Sequence, residues 1–300
     1  MTGTSLALGL FDGVHLGHRR VLEAARRGAD RGLIPGVFTF EAESAARKGT
    51  GGYLYDSALR EHILRQECGI TRIECVPFGE ICTMSGEQFA RELLHGTLGA
   101  RHAVCGRDFR FGAGAACGVR ELEQFGRALG FTVEAVEDVQ KDGRTVSSSA
   151  VRALLLEGQP DKAAALLGAP YRIRREAVHG AALGRTIGFP TVNQPFAPGQ
   201  LVPAFGVYAA MGLAEGVWYP ALTNIGKKPT VAYTGAPLAE TFLDGFSGDL
   251  YGKTVEVRLL RFLRPEQKFA GLSELTDQMH RDLAACREFS AICHMTDTYA

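Results

Sequence analysis

The sequence predicts two domains of different architecture, an α/β domain with a mostly parallel sheet followed by a small antiparallel β-barrel. In the first half, apolar strand-like segments alternate with amphipathic segments, which is the pattern of a parallel sheet covered by helices on both faces. In the second half, β-type segments follow one another without helices between them, and one amphipathic helix ends the chain. The pattern changes after Gly168, so we predict domains at residues 1–168 and 169–300.

The individual elements follow from apolar periodicity and from turn and capping residues. In the first half we predict a strand that ends before Asp12, further strands at 33–40, 71–78, 102–106 and 131–136, and helices at 19–31, 57–68, 85–98, 119–129, 150–157 and 161–167. Residues 41–55 are polar and glycine-rich and are predicted to form a mobile loop. In the second half we predict strands at 171–178, 206–212, 218–225, 240–246 and 254–262 and a helix at 273–289.

The composition argues against several classes of protein. With 33 basic and 33 acidic residues, the formal net charge is zero, so there is no electrostatic reason to expect nucleic acid or membrane binding. No apolar segment approaches the roughly 20 residues of a membrane helix, and the first residues lack the features of a signal peptide, so we expect a cytoplasmic protein. The seven cysteines include no Cys-x-x-Cys pair, which argues against a zinc site or a disulfide framework. The oligomeric state stays open.

The most informative motif is LGLFDGVHLGH at residues 8–18, whose order predicts a strand, a tight turn and a helix. Glycines let a phosphate approach the backbone, and the start of a helix presents N–H groups and a positive dipole end. Two histidines three residues apart can donate to phosphate oxygens as charge builds up on a leaving pyrophosphate. An ordinary turn whose histidines cap the helix or face water is the alternative. The candidates are catalytic His15 and His18 and phosphate-binding Gly9, Phe11, Asp12, Gly13 and Gly17.

Two further clusters also follow predicted strands. GRDFRFG at residues 106–112 combines glycines with charged residues, and SSSAVR at 147–152 places hydroxyl groups and an arginine at the start of a helix. The first could be a surface turn with a local ion pair, and the second could be only an N-cap, although a cap and an anion site are compatible. Their candidates for binding ATP are Gly106, Asp108, Ser148, Ser149 and Arg152.

These three segments resemble known families. The first resembles the Gly-x-Phe-Asp…His-x-Gly-His signature of the nucleotidyltransferase superfamily, which includes the adenylyltransferases. The other two resemble segments that complete the adenylyltransferase site in bacterial bifunctional riboflavin kinase/FAD synthetases. The resemblance implies a Rossmann-like fold for the first domain. It also implies direct attack of a nucleophile on the α-phosphate of ATP, with Mg²⁺ as helper.

Motifs of the second half resemble the riboflavin kinases. Pro190-Thr-Val-Asn193 is similar to the Pro-Thr-x-Asn motif, and NIGKKPT at 224–230 is similar to Asn-Ile-Gly-x-Arg-Pro-Thr. The resemblance implies that Thr191 and Asn193 are ligands of Mg²⁺ and of ATP phosphate oxygens, since a hydroxyl and an amide carbonyl are hard oxygen donors. It implies that Glu240 is the general base for the 5′-hydroxyl of riboflavin. The other candidates are phosphate-binding Gly180, Gly184 and Gly188 and flavin-binding Asn224, Lys228, Pro229 and Thr230.

The resemblance covers nearly the whole chain and implies that the protein phosphorylates riboflavin to FMN and adenylylates FMN to FAD, with ATP as co-substrate. Two departures stand out. Lys228 replaces the usual arginine, and Glu41-Ala-Glu-Ser44 replaces the family's Pro-His-Pro element, where Arg47 and Lys48 could supply positive charge. Two alternatives therefore stay open, a riboflavin kinase whose first domain is degenerate and a flavin-binding module without turnover.

Overall fold

The computed structural model describes residues 3–45, 51–179, 188–227 and 236–295. The chain divides into two compact units, Met1–Ser148 and Ser149–Ala300. The two units meet earlier in the sequence than the predicted boundary at 168/169, because the helices Ser148–Leu156 and Pro160–Leu167 pack on the second unit. Within that unit, Ala204 N donates to Leu155 O at 3.0 Å, and the helix Pro160–Leu167 packs on the outer strands. The predicted domain boundary stays a prediction.

The first unit is built on a five-stranded parallel sheet, as predicted. The strands are β1 (Thr4–Leu8), β2 (Ile34–Phe40), β3 (Arg72–Val76), β4 (Ala100–Gly106) and β5 (Thr132–Val136), in the order β3-β2-β1-β4-β5. Every residue of β1 is buried, as expected for a central strand with covered faces. The carboxyl ends of β1, β2 and β4 therefore lie side by side at one edge of the sheet, where such folds bind ligands.

Four helical segments of this unit lie close to their predicted positions, and two short helices, at 42–45 and 78–81, were not predicted. They are α1 (Leu16–Arg26), α2 (Ala42–Ala45), α3 (Ser57–Gln66), α4 (Phe78–Ile81), α5 (Gly86–Gln88) and α6 (Val119–Leu129), and a short hairpin of β6 (Gln140–Lys141) and β7 (Arg144–Thr145) follows. The predicted capping box between Ser85 and Gln88 opens α5. The helix then continues over Phe89–Thr97 with π-type hydrogen bonds, in which Leu98 N donates to Leu93 O at 2.9 Å.

The loop predicted over residues 41–55 is partly wrong. Part of it forms α2, and Tyr53, Leu54 and Tyr55 are almost fully buried at 4%, 0% and 3% exposure. The buried carboxylate of Asp12 accepts hydrogen bonds from Leu54 N at 2.8 Å and from Tyr55 N at 3.4 Å. The end of the segment is therefore fixed against the turn after β1, while residues 46–50 lie outside the described part.

The second unit is a curled antiparallel sheet with a C-terminal helix packed on it, as predicted. Its strands are β8 (Tyr171–Glu176), β9 (Thr191–Pro195), β10 (Gly206–Ala214), β11 (Val217–Lys227), β12 (Pro237–Leu243) and β13 (Thr254–Arg264), in the order β8-β13-β10-β11-β12-β9. A bridge between Val178 and Asn193 joins the segment after β8 to β9 and curls the sheet toward a barrel. The helices are α7 (Ser148–Leu156), α8 (Pro160–Leu167) and α9 (Leu272–Met295), and α9 packs on β10 and β11.

Two details of this unit differ from the prediction. No strand was predicted for the segment that contains Thr191 and Asn193, but it forms β9 at the edge of the sheet. Strand β12 begins at Pro237 rather than at residue 240, which puts Glu240 in the middle of the strand. The structure shows free thiols at Cys68, Cys75, Cys82, Cys105, Cys117 and Cys286.

Candidate active sites

The first candidate site is the turn between β1 and α1. Its backbone adopts positive φ at Phe11 (53°), Gly13 (83°) and Val14 (44°). For a residue with a side chain such a φ is strained and costs about 1–3 kcal/mol, so the surrounding structure must hold it. The Asp12 carboxylate accepts the two N–H groups described above, and Ser148 Oγ donates to Asp12 O at 2.8 Å. The turn is thus held from two sides.

The two histidines of the motif form one stacked pair. His15 is the N-cap of α1, and its Nδ1 accepts a hydrogen bond from His18 N at 3.2 Å. In the neutral His15 ring the proton is therefore on Nε2. The ring centroids lie 3.5 Å apart with an angle of 15° between the planes, and Phe11 packs edge-on against His18 at 5.4 Å. Capping and stacking fix both rings at the start of the helix.

His18 is held in its neutral form. Burial lowers its pKa well below the ordinary value of 6.5, and the neighbouring His15 and Arg60 lower it further by charge repulsion. Its Nδ1 is buried and has no hydrogen-bond partner among the described residues. Neutral imidazole carries one N–H donor and one acceptor, so His18 can donate one hydrogen bond to an anion without carrying a charge.

Two glycines of the turn lie in tight packing against side chains of the turn itself. A Cβ on Gly17 would lie 3.1 Å from His15 Cε1, and a Cβ on Gly9 would lie 3.3 Å from Phe11 Cζ. Phe11 itself is 1% exposed, so its backbone rather than its ring faces any ligand at the turn. The same holds for Asp12, whose carboxylate is occupied by backbone N–H groups.

The other predicted ATP-binding residues lie in two places. Gly106 ends β4, the neighbour of β1, and a Cβ there would lie 2.8 Å from Asp108 Oδ1 in the turn that follows. Ser148 contacts the β1 turn as described. Ser149 and Arg152 lie on the first turns of α7, which belongs to the second unit.

The segment 41–44 has a structural function of its own. Ser57 N and Ser57 Oγ donate to the Glu43 carboxylate at 3.1 and 2.6 Å, and Ala42 N donates to Ser57 Oγ at 3.0 Å. Burial alone would raise the pKa of Glu43, but the Ser57 hydrogen bonds and the charge of Arg60 outweigh it and lower the pKa. The ionised Glu43 carboxylate thus binds Ser57, the first residue of α3, whose N-cap is Asp56. Arg47 and Lys48, considered as replacement charges, lie outside the described residues.

The second candidate site lies on the concave sheet of the second unit. Antiparallel register aligns Asn193 of β9, Glu240 of β12 and Asn224 of β11 in one row across the strands. Thr191 Oγ1 donates to Glu240 Oε1 at 2.9 Å. Because the hydroxyl proton is used in this bond, the hydroxyl lone pairs stay available to a cation. The sheet therefore brings together a carboxylate, a hydroxyl and two amides that are far apart in the sequence.

A cavity of about 280 Å³ adjoins this row. Its lining is mainly apolar with a few polar groups, which is typical of a small-molecule site. Asn224 Nδ2 donates to Glu266 Oε1 at 3.1 Å, while Asn224 Oδ1 is buried without a partner among the described residues. The lining residues are Phe189, Thr191, Val207, Leu222, Asn224, Glu240, Phe242, Arg264, Glu266, Gln267, Phe269, Leu275 and Met279.

Comparison with known proteins identifies both units. Residues 1–150 match the family model for FAD synthetase, and residues 167–290 match the model for riboflavin kinase. The bifunctional riboflavin kinase/FMN adenylyltransferase of Escherichia coli K12 is 38% identical over 96% of this chain and 93% of its own length. The chain belongs to the bifunctional riboflavin kinase/FMN adenylyltransferase family.

Other relatives agree with this assignment. The enzymes of the same name from Pseudomonas fluorescens and Bacillus subtilis are 35% and 34% identical, and each alignment covers at least 95% of this chain and 92% of the relative. A crystal structure titled as a macrolide-efflux protein from Streptococcus pneumoniae superposes with a TM-score of 0.82 at 28% identity, covering 96% of this chain and 95% of that one. Within the described residues, no helix is long and apolar enough to cross a membrane.

The family assignment separates the alternatives left open by the sequence. The chain has both an FAD synthetase domain and a riboflavin kinase domain, and the curated relatives carry both activities in their names. This supports a bifunctional enzyme rather than a kinase with a degenerate first domain.

Some of the predicted binding residues of the second domain lie outside the described residues, namely Gly180, Gly184, Lys228, Pro229 and Thr230. Gly188 is described and adopts a positive φ of 82° just before β9.

Sequence reasoning missed several residues of both sites. The cavity residues that follow β13, Glu266 and Phe269 among them, were not predicted as part of a site. Arg60 was not singled out at all, although a detectable signal exists. It lies on the same face of α3 as the buried residues Leu59, Ile63 and Leu64, and a charge on an apolar helix face marks a residue with a specific partner.

Proposed function

We propose that the second domain transfers the γ-phosphoryl group of ATP to the 5′-hydroxyl of riboflavin, with Glu240 as general base. The observation that carries this proposal is the Thr191–Glu240 pair, a carboxylate and a hydroxyl 2.9 Å apart on the wall of an apolar cavity. The proton of the riboflavin 5′-hydroxyl passes to the Glu240 carboxylate, and the oxygen of that hydroxyl forms the new bond to the γ-phosphorus. ADP leaves with the electrons of the broken P–O bond.

The cavity suits the flavin ring. An isoalloxazine has apolar faces and a polar edge, and the cavity combines aromatic and aliphatic walls with the unpartnered Oδ1 of Asn224 as an acceptor. The proposed assignment of Asn224 to flavin binding is supported by this buried acceptor, because a flavin imide N–H would satisfy it. The same assignment for Lys228, Pro229 and Thr230 rests on the family motif alone.

The donor set beside Glu240 fits Mg²⁺. Among the described residues, no cluster of three or more His, Cys, Asp or Glu side chains could hold a metal ion by itself. Mg²⁺ usually takes few protein ligands and completes its shell with phosphate oxygens and water, so the Thr191 hydroxyl and the Asn193 amide suffice. Bound there with ATP, the ion would neutralise charge on the phosphates.

We propose that the first domain transfers AMP from ATP to FMN. The FMN phosphate oxygen forms the new bond to the α-phosphorus, and pyrophosphate leaves. His15 and His18 donate N–H groups to the phosphate oxygens and stabilise the charge that builds up on the leaving group. The start of α1 presents N–H groups to the triphosphate, and the assignment of Gly9, Gly13, Gly17 and Gly106 to phosphate binding rests on the family motif. The assignment of Ser148, Ser149 and Arg152 to ATP binding rests on the family motif alone.

One pair of variants tests the division of labour. Glu240→Gln keeps an oxygen that accepts from Thr191 but cannot take a proton, so FMN formation should fall at least about 100-fold. The same variant should form FAD from supplied FMN at the wild-type rate. His18→Ala should have the opposite effect, with normal FMN formation and little FAD. If either folded variant lost both activities, the assignment of the two steps to separate sites would be wrong.

A flavin-binding module without turnover makes a different prediction. Such a protein would bind riboflavin in the presence of MgATP and return it unchanged. The pairing of Thr191 with Glu240 favours turnover, because binding alone requires neither a proton acceptor nor cation ligands.

A further inference from the structure

We propose that Arg60 is the positioning residue of the adenylyl-transfer site, holding the β1 turn in place for His15 and His18. This inference rests on the function proposed for the first domain. Arg60 is 1% exposed and lies on the inner face of α3. Its Nη1 donates to Leu10 O at 2.7 Å, and its Nη2 donates to Phe40 O. One guanidinium therefore binds the carbonyls that follow β1 and end β2.

The position of these carbonyls links Arg60 to the site. Leu10 directly precedes Phe11, where the strained run of the turn begins. Leu10 O also accepts a hydrogen bond from Thr39 Oγ1 at 3.1 Å, so two donors fix it. Asp12 and Ser148 hold the centre of the turn, whereas Arg60 and Thr39 hold its beginning. Without the guanidinium, the start of the turn can relax, and the histidines move with it.

Packing alone does not account for a buried arginine here. A buried cation is costly unless it is paired, and Arg60 forms no ion pair within the described part of the chain. Burial lowers its pKa, and the Cys75 thiol, Asp12 and Glu43 at longer range partly offset this effect. An apolar side chain would fill the space at lower cost. What an apolar residue lacks is the planar fork of N–H donors of the guanidinium, which binds Leu10 O and Phe40 O at the same time.

Arg60 also contributes charge to the site. The charged or titratable groups that act on His18 are His15, from the start of its own helix, and Arg60, from α3. Removing the positive charge of Arg60 would make protonation of His18 easier. The guanidinium thus has two effects that substitutions can separate, the hydrogen-bonding fork and the charge.

Two variants separate these effects. Arg60→Lys keeps the charge and loses the fork, and Arg60→Gln loses the charge and keeps an N–H₂ donor. Misplacing catalytic groups by about 1 Å costs on the order of 100-fold in rate, so we expect kcat for FAD formation to fall about that much in both variants. The KM for MgATP should change less than about 3-fold, because the glycine backbone that binds the phosphates stays. In Arg60→Gln alone, the acid limb of the pH–rate profile should move to higher pH.

Arg65→Gln is the matched control, since Arg65 lies on the same helix but pairs with Glu61 at the surface. The FMN-forming rate of each chain and the thermal unfolding of the first unit report folding. If wild-type protein made no FAD, the proposed function would fail before this inference was reached. If it made FAD and the Arg60 variants matched Arg65→Gln, only the positioning role would be wrong. Loss of a folded first unit in both variants would also overturn it, because Arg60 would then be purely structural.

Discussion

The buried carboxylate of Asp12 gives a prediction whose size follows from two hydrogen bonds. Asp12→Ala removes the acceptor of Leu54 N and Tyr55 N, at 2.8 and 3.4 Å, in a region that is at most 3% exposed. A buried donor that loses its acceptor costs about 1–3 kcal/mol, and only the shorter bond is strong, so we expect a loss of about 2–3 kcal/mol. Asp12→Asn keeps an oxygen acceptor and should lose about 1 kcal/mol or less.

Differential scanning calorimetry of the full chain measures this difference. For a unit of this size 1 kcal/mol corresponds to about 2–4 °C, so Asp12→Ala should lower the melting temperature of the first unit by about 4–12 °C. FAD formation should be largely kept in Asp12→Asn and reduced in Asp12→Ala. The reasoning would be refuted if the two variants were equally stable, or if Asp12→Asn were as inactive as Asp12→Ala, since the carboxylate would then act on the ligand.

Two further predictions concern single atoms of the two sites. Because burial and then His15 and Arg60 lower the pKa of His18, FAD formation should stay constant from pH 8 down to about 6.5 and fall only at lower pH. A histidine with a lowered pKa stabilises the fold above its unfolded pKa and loses that contribution as the pH falls below about 6.5, so the melting temperature should fall in the same range, and less so in His18→Asn. An acid limb at or above pH 6.5 would contradict a neutral His18. Thr191→Val removes the hydroxyl at constant shape and should raise the KM for MgATP in FMN formation by about 10-fold. Thr191→Ser keeps the hydroxyl, so its KM should stay near the wild-type value. Equal effects of the two substitutions on KM would exclude the hydroxyl as a ligand.

Local patterns were sufficient for most elements of the fold. Helix α6 was predicted at the residues where it occurs, 119–129, because its apolar stripe is regular and Gly130 ends it in the left-handed conformation. The parallel sheet followed from alternation of strand and helix patterns, which depends on neighbours in the sequence. The strand, turn and helix that carry the first candidate site followed as well, since they are contiguous in the sequence.

Features set by distant partners could not be predicted in this way. Burial of residues 53–55 depends on an acceptor 42 positions away from Leu54, and composition alone suggested a solvated loop. Strand β9 was missed because a five-residue strand that begins after a proline carries little periodic signal. The row formed by Asn193, Glu240 and Asn224 depends on the pairing register of three strands, so their proximity came from the family resemblance and not from spacing.

Both domains together make one chain that carries out two consecutive reactions on flavin. The most direct test is to incubate the purified protein with riboflavin and excess MgATP and to separate the flavins by chromatography over time. FMN should appear first and then be converted to FAD, with one pyrophosphate released for each FAD. FMN that accumulates without FAD, or riboflavin that is bound and recovered unchanged, would contradict it.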